Sequence, residues 1–211
     1  MVDVPGERLG QFAHVWRELD ASPEVLQLVQ QGHKIEFTNY PPKLSKPKRS
    51  FETTGSPSEM KVIRLEVKQL VKKGAIRVVP YEEAVKNKGF YSKLFCIPKP
   101  NSEKMRTIIN LKPFNKYVEK HAFKMETGKD VRNLLQPQMY GAVVDLSDAY
   151  YHVKLHRTSW KYTRCILDGV IYEYVTLPMG LTCSPRLFTR VTKFFMAKLR
   201  KQGLLLVIYI E

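Results

Sequence analysis

Apolar residues recur at the three- and four-residue spacing of an α-helix in several stretches of the chain. Two short helices are predicted before Gly32. The clearest helix has Ser56 as its cap, Pro57 at its first position and Glu59 three residues after the cap, and it stops at Gly74. This combination of a capping box and an apolar stripe predicts a helix that packs on a core.

Two further helices are predicted in the second half of the chain. A short helix covers 131–135, and a longer one starts at Ser184-Pro185 and closes at Gly203. The longer helix carries an apolar face that is most simply explained by core packing. That face consists of Leu187, Phe188, Val191, Phe195 and Leu199. Residues 38–57 are rich in Pro, Ser, Thr and Lys and have no apolar periodicity, which predicts an irregular connector.

Short runs of β-branched and aromatic residues predict strands. Three of them cover 76–79, 94–97 and 107–111, and the last two are expected to pair as a hairpin across a turn that contains prolines and an asparagine. The dipeptide Asp168-Gly169 lies between two apolar or aromatic runs, which is the strongest short signal for a second β-hairpin.

Two other runs are apolar on both faces, which predicts strands in the interior of a sheet. Residues 142–146 form the first run and place Asp145 near its end, whereas residues 204–210 form the second run and lead into Glu211. Because adjacent strands lie roughly 5 Å apart, the two carboxylates are expected to meet and to share a metal ion. An aspartate in this position also suits a solvated turn, so the spacing by itself leaves both interpretations open.

Strands and helices in mixed order predict an α+β domain, with an antiparallel or mixed sheet packed on helices. The 211 residues suit one large domain or two small ones, and 44% apolar with 26% charged residues exclude disorder of the whole chain. The longest apolar run, 204–210, is far below the roughly 18 residues of a membrane-spanning helix. The start of the chain lacks the features of a signal peptide, so an intracellular setting is expected.

The positive charge is concentrated in one part of the chain. The net charge is +15, and residues 43–132 contain 22 basic and 9 acidic residues, a net of +13. Such a field attracts polyanions, so nucleic acid is the leading partner and an anionic membrane surface the second. A solvated lysine-rich surface is the alternative explanation.

Several motifs, taken in their order along the chain, resemble those of reverse transcriptases. The run V-D-L-S-D-A-Y at 144–150 resembles their first catalytic motif, and L-P-M-G-L at 177–181 resembles the next one. The run Y-I-E at 209–211 resembles the start of their Tyr-x-Asp-Asp box. Upstream, the hairpin predicted within 95–111 resembles the hairpin of their fingers subdomain.

A further segment, F-K-M-E at 123–126, is similar to one found in DIRS-like retrotransposons, which encode a tyrosine recombinase. The resemblance to reverse transcriptases covers residues 7–211 and implies a right-hand polymerase fold. It implies helices and a Pro- and Lys-rich connector in residues 1–57, fingers in 58–140 and a partial palm in 141–211, with the thumb absent.

The activity implied by the resemblance is that of an RNA-directed DNA polymerase from a retrotransposon, which adds deoxynucleotides to a primer 3′-hydroxyl by two-metal phosphoryl transfer. The implied cofactors are two Mg²⁺ ions, or Mn²⁺ in their place, bound by Asp145, the backbone carbonyl of Leu146 and Glu211. The implied partners are an RNA or DNA template-primer duplex and deoxynucleoside triphosphates, but no membrane. The missing palm and thumb, with RNase H and recombinase regions, would belong to a longer polyprotein.

The resemblance also implies a nucleotide site. Its residues are Lys99, Arg106, Asp148, Ala149, Tyr150, Met179 and Gly180. Lys99 and Arg106 would face the triphosphate, and Tyr150 would exclude a ribose 2′-hydroxyl by its bulk. Asp148 with Ala149 would line the pocket through backbone groups, and Met179 with Gly180 would form its floor. Judged by the residues alone, a plain basic hairpin, a core tyrosine and a tight turn remain alternatives.

One departure from the family's pattern bears on activity. Glu211 stands where the box has its first aspartate, and the sequence ends before the second. Glutamate is one methylene longer than aspartate, and a displacement on the order of 1 Å can cost about a hundredfold in rate. The alternative function is therefore a catalytically inactive, truncated remnant that acts only as a basic nucleic-acid-binding module.

Overall fold

The computed structural model describes residues 5–98 and 105–208. Its helices are α1 (Pro5–Gln11), α2 (Ala13–Glu18), α3 (Pro23–Gln31), α4 (Pro57–Lys72), α5 (Tyr81–Lys86), α6 (Gly128–Leu134) and α7 (Ser184–Lys201). Its strands are β1 (Ile76–Val79), β2 (Leu94–Pro98), β3 (Met105–Ile109), β4 (Arg164–Leu167) and β5 (Val170–Tyr174). The α+β class and the antiparallel sheets packed on helices confirm the fold predicted from the sequence.

Helix α4 forms where the capping signals predict it. The Ser56 hydroxyl accepts the Glu59 N–H at 3.3 Å, and the Glu59 carboxylate accepts the Ser56 N–H at 2.9 Å. The helix buries Ile63, Val67 and Leu70 against the core. The reciprocal cap satisfies two N–H groups that the first helical turn otherwise leaves without partners.

Replacing Ser56 by Ala is expected to lower the free energy of unfolding by about 1 kcal/mol, because the first turn of α4 loses its cap. Urea unfolding followed by circular dichroism measures the change. Ser58→Ala is the matched control, since the Ser58 hydroxyl contacts the Ser56 hydroxyl at 3.0 Å and caps no backbone group. Equal losses in the two variants would contradict a specific capping role.

The strands form two antiparallel units. One is the β2–β3 hairpin, and the other is a three-stranded sheet in the order β1-β5-β4. Asp168 and Gly169 turn the chain between β4 and β5 with φ angles of 50° and 76°. Aspartate and glycine both tolerate this left-handed region, so the predicted turn chemistry explains the observed hairpin.

The three-stranded sheet has two different faces because side chains alternate along each strand. Cys165, Leu167 and Tyr174 belong to the main core, together with residues of α3, α4 and α7. On the other face, a smaller cluster combines Val79, Ile166 and Ile171 with Ala84 and Tyr91. Arg77, Glu173 and Arg164 are paired in register across this second face.

The sequence correctly predicts helices before Gly32 but gives the wrong number of them. Three helices form before Gly32 instead of two, because the first predicted helix is divided at Phe12 into α1 and α2. Phe12 is exposed, whereas Trp16 is buried against the core. The connector at 38–57 is irregular as predicted, apart from a single 3₁₀ turn at Arg49–Phe51.

The two predicted interior strands are wrong for the described residues. Residues 142–146 and 204–208 are not in strands, and Val143, Val144 and Leu205 are 97%, 83% and 62% exposed. A strand is stable only where a neighbour completes its backbone hydrogen bonds, and neither segment joins the β1-β5-β4 sheet or the β2–β3 hairpin. Apolar character on both faces was therefore not sufficient to form either strand.

The segment after α7 is held by side chains instead of by a strand ladder. Glu126 accepts the N–H of Ile208 at 2.8 Å and binds the Arg200 guanidinium at 2.7 Å. Arg200 also donates to the carbonyl of Leu206. The apolar face of α7 is buried only in its first half, since Phe195 and Leu199 remain 36% and 38% exposed.

None of the helices in the described part of the chain has the length and apolar character needed to cross a membrane.

Candidate active site

The run that contains Asp148 and Tyr150 forms a tight turn that contacts from two other elements hold in place, and we call it the pinned turn. Asp148 has φ 58° and precedes a 3₁₀ helix at Ala149–His152, and its carboxylate binds Lys73 Nζ at 2.8 Å. Tyr150 is half-buried and packs edge-on against the Phe188 ring, with a centroid distance of 5.7 Å. Lys73 at the end of α4 and Phe188 on α7 thus fix the turn from two sides.

Charged groups of this turn, of α4 and of the β2–β3 hairpin act on the buried Tyr151 hydroxyl. Burial raises the pKa of Tyr151, and the negative charges of Glu66 and Asp148 raise it further, whereas Arg106 lowers it. Arg106 lies on β3 and is exposed. Arg106 and Asp148, although far apart in sequence, therefore both influence the pKa of the Tyr151 hydroxyl.

The loop that contains Met179 and Gly180 lies against strand β3 of the β2–β3 hairpin. Gly180 has φ 89°, where a side chain would be strained although an added Cβ would still lie 3.6 Å from the Ile109 carbonyl. Asn115 donates to the Gly180 carbonyl at 2.7 Å and accepts the Thr182 N–H at 3.0 Å. Met179 is half-buried beside this glycine.

A groove of about 420 Å³ runs beside this loop. Its lining includes the β3 residues Ile108 and Ile109 and the backbone of Gly180. Three lysines also line it, namely Lys112, Lys116 and Lys120. The groove therefore combines apolar walls, a glycine backbone and positive charge, a combination that suits a nucleic-acid strand.

Asp145 is exposed and lies in a segment without regular secondary structure, just before the pinned turn. Among the described residues, one group of three side chains could hold a metal ion. It consists of Glu36, Glu119 and His121 and does not include Asp145. In that group His121 Nε2 lies 2.9 Å from the Glu36 carboxylate, and Arg186 lies 3.6 Å from the same carboxylate. Lys99 and Glu211 lie outside the described residues, so their predicted roles remain predictions.

The donors at 145–146 fit a hard divalent cation. The Asp145 carboxylate forms no ion pair within residues 5–98 and 105–208, and no hydrogen bond reaches the Leu146 carbonyl from the same residues. Mg²⁺ prefers oxygen ligands and commonly takes only one or two carboxylates. An exposed carboxylate and a carbonyl with free lone pairs are consistent with part of such a coordination shell.

Sequence reasoning missed Lys73 and Asn115. Lys73 is 75 residues from Asp148, and Asn115 is 65 residues from Gly180, so no local pattern links either pair. An asparagine in a short 3₁₀ turn and a lysine at a helix end both have ordinary structural explanations in a sequence. Only the folded chain shows that each one positions a motif residue.

The fold identifies the general class of protein. The structure is similar to a crystal structure of the prototype foamy virus protease-reverse transcriptase, with a TM-score of 0.62 and 21% identity, over 84% of this chain and 22% of that one. At this identity the likeness shows the fold alone. The fold is the polymerase fold of retroviral reverse transcriptases.

Sequence comparison assigns the family. Residues 97–210, more than half of the chain, match the family described as "Reverse transcriptase (RNA-dependent DNA polymerase)". The chain belongs to this reverse transcriptase family. A "Putative enzymatic polyprotein" of Cassava vein mosaic virus is 25% identical over 158 residues, which are 74% of this chain and 23% of the polyprotein. The chain thus spans about a quarter of the length of that curated relative.

Proposed function

We propose that the chain is the fingers and part of the palm of an RNA-directed DNA polymerase from a retrotransposon of the DIRS-like type. In this proposal the protein adds deoxynucleotides to the 3′-hydroxyl of a primer on an RNA or DNA template. The observation that carries it is the pinned turn at Asp148 and Tyr150, which is fixed by the Lys73 ion pair and by the Phe188 ring. Residues 1–57 would support fingers in 58–140 and palm in 141–211.

The proposed roles of the residues follow from their surroundings. The exposed Arg106 guanidinium would bind the triphosphate, with Lys99, since a planar cation can donate two hydrogen bonds to phosphate oxygens. Asp148 and Ala149 would present backbone groups to the same ligand. The floor would be formed by Met179 and Gly180, and the groove with Lys112, Lys116 and Lys120 beside Gly180 would hold the template strand.

Asp145, the Leu146 carbonyl and Glu211 would hold the metal ions of this reaction, Mg²⁺ or Mn²⁺. Two such ions, when bound, supply activation of the primer hydroxyl and stabilisation of the leaving oxygen. The protein's own contribution is to fix the donors, and the turn that follows Asp145 is fixed by the Lys73–Asp148 ion pair at 2.8 Å. Lys73 is therefore proposed as a positioning residue.

Primer extension tests this function. An RNA template with a DNA primer, all four deoxynucleoside triphosphates and Mg²⁺ is offered to this chain, and to a version that continues past Glu211 where the gene supplies further coding sequence. Extension of the primer by either protein is the expected result. Failure of both proteins, with retained binding of the duplex, would overturn the polymerase proposal.

A second candidate function is supported by two observations. The segments 142–146 and 204–208 are not in strands, whereas the lysine-lined groove beside Gly180 is formed. A catalytically inactive module that only binds nucleic acid needs the groove but not the two strands. Duplex binding that weakens with added salt, without any primer extension, is the expected behaviour of such a module.

Replacing Tyr150 by Ala in a version active in primer extension is expected to lower the discrimination against ribonucleotides by about tenfold or more. The half-buried ring, held against Phe188, would no longer occupy the space needed by a 2′-hydroxyl. Single-nucleotide incorporation of dNTP and rNTP measures the ratio. Tyr140→Ala is the matched control, because this ring is fully exposed. Unchanged discrimination in the Tyr150 variant would remove it from the sugar-sensing role.

A further inference from the structure

A second polar cavity lies on the sheet face that is turned away from the main core. Its volume is about 470 Å³, and Arg77, Glu173 and Arg164 border it as a row across β1, β5 and β4. Side chains alternate along these strands, so Arg164 and Glu173 lie opposite Cys165 and Tyr174, which share the main core with Tyr151. The cavity is therefore separated from the candidate active site by the sheet.

The ion pairs at the base of the cavity are largely buried, and the row is neutral once Glu83, the second partner of Arg77, is included. Arg164 and Glu173 are each 2% exposed at their side chains, and the Arg164 Nε lies 2.8 Å from the Glu173 carboxylate. Arg164 also donates to the Asn87 carbonyl at 2.6 Å. Arg77 binds Glu83 and the same Glu173. Both carboxylates of the cavity are thus fully engaged by these two arginines.

The remaining charges around the cavity are all positive. Six cationic side chains and two carboxylates line it, namely Arg77, Lys86, Lys88, Arg157, Lys161 and Arg164 with Glu83 and Glu173. After Arg77 and Arg164 have neutralised the carboxylates, four cations remain. None of the four forms an ion pair with a carboxylate in residues 5–98 or 105–208. Lys161 lies over the Tyr162 ring at 5.4 Å, a cation–π contact that brings no negative charge to the cavity.

Trp160 adds an apolar wall and a local reporter. Its indole N–H donates to the Leu155 carbonyl at 2.8 Å, and the Arg77 guanidinium stacks at 5.3 Å from the ring centroid. The indole is therefore held in place beside the four cations. Trp160 is one of only two tryptophans in the sequence, so its fluorescence can report on the cavity.

We propose that this cavity is a second anion site, which binds a phosphate-bearing ligand between Lys88, Arg157 and the wall at Trp160. Uncompensated cations beside a largely buried base favour an anion with several oxygens, because charge-assisted hydrogen bonds to phosphate are stronger than neutral ones. The volume admits a ligand that carries several phosphates. The phosphates can come from a nucleic-acid strand or from a free polyphosphate, and the site does not depend on the polymerase function proposed above.

The test uses the whole chain, sodium tripolyphosphate and a fluorescein-labelled oligo(dT). Tripolyphosphate binding is followed by tryptophan fluorescence, and oligonucleotide binding by anisotropy. The test variant is Lys88→Gln/Arg157→Gln, in which both residues are exposed and take no part in the buried ion pairs. The matched control, Lys61→Gln/Lys68→Gln, removes the same charge from exposed positions of α4.

The expected result is a tripolyphosphate Kd that rises about tenfold or more in the test variant and less than about twofold in the control. The fluorescence response should disappear in Trp160→Phe. Competition by oligo(dT), with a matching loss of its affinity in the test variant, identifies nucleic-acid phosphates as a ligand. Loss of tripolyphosphate binding alone identifies free polyphosphate. Equal effects of the test and control variants, or no binding by the unmodified chain, would overturn the proposal.

Discussion

Replacing Asp145 by Asn is expected to reduce primer extension on the order of 10²- to 10³-fold. The exposed carboxylate beside the Leu146 carbonyl is the group that we propose holds a divalent cation, and the amide removes its charge while keeping its shape. Because the side chain is exposed, the free energy of unfolding should hardly change. Rates of single-nucleotide addition at several Mg²⁺ concentrations measure the effect, and chelation by EDTA should abolish extension by the unmodified protein.

The matched control for this experiment is Asp20→Asn. Asp20 has a 90% exposed side chain, and asparagine tolerates its φ of 55° as readily as aspartate does. This variant should extend primers at the unmodified rate. An Asp145→Asn protein that is as active as the Asp20→Asn protein would rule out metal binding by Asp145. Loss of duplex binding in the Asp145 variant would instead point to a structural defect.

The largest effect on stability is expected for Glu173→Gln. Arg164 and Glu173 form an ion pair with both side chains 2% exposed, and Glu173 also binds Arg77. The amide cannot neutralise the buried Arg164 guanidinium, so the folded state would retain an uncompensated charge. Breaking one partner of such a pair costs about 3–5 kcal/mol. The midpoint of urea unfolding, monitored by circular dichroism, should therefore fall sharply.

Two control proteins separate this explanation from a general sensitivity of the sheet. Arg164→Met/Glu173→Met removes both charges and should be considerably more stable than Glu173→Gln alone. Asp168→Asn removes the partner of Arg64 in an exposed ion pair of 2.7 Å and should change stability little. A Glu173→Gln protein as stable as Asp168→Asn would show that the buried pair contributes nothing.

Many elements of the fold could be predicted because their signals are local. The capping box of Ser56 and Glu59 marks the start of α4, and Asp168-Gly169 marks the turn between β4 and β5. Ser184 and Pro185 mark the start of α7. Each signal acts between residues that are at most a few positions apart, so its energy does not depend on the rest of the fold.

The predictions that failed required distant partners. The runs at 142–146 and 204–208 have the composition of interior strands, but a strand also needs a neighbour to complete its hydrogen bonds. The structure closes its sheet with β1, β5 and β4 instead. The predicted approach of Asp145 and Glu211 therefore remains a prediction, because Glu211 lies outside the described residues.

In the candidate site, too, some residues could be found from local sequence motifs and others only from the folded structure. The motifs located Asp148, Tyr150 and Gly180 from the sequence, but Lys73 and Asn115 became visible only as their partners in space. The cation-lined cavity depends even more on the fold, because the ion pair at its base joins Arg77 to Glu173, which are 96 positions apart. Neither composition nor spacing indicates that Lys88 and Arg157 lie around the same cavity.

The sequence by itself indicated helices α3, α4, α6 and α7, the turn at Asp168-Gly169, the two hairpins and the family motifs, because caps, turn residues and side-chain alternation act over a few residues. The tertiary structure alone decided which strands pair, which charges are buried and which charges are left without a partner. Those outcomes depend on bringing together segments separated by more than 100 positions, as in the hydrogen bond from the Ile35 N–H to the Ser159 hydroxyl, whose sequence separation is 124. Burial then sets the energy of each charge, and burial is a property of the whole fold.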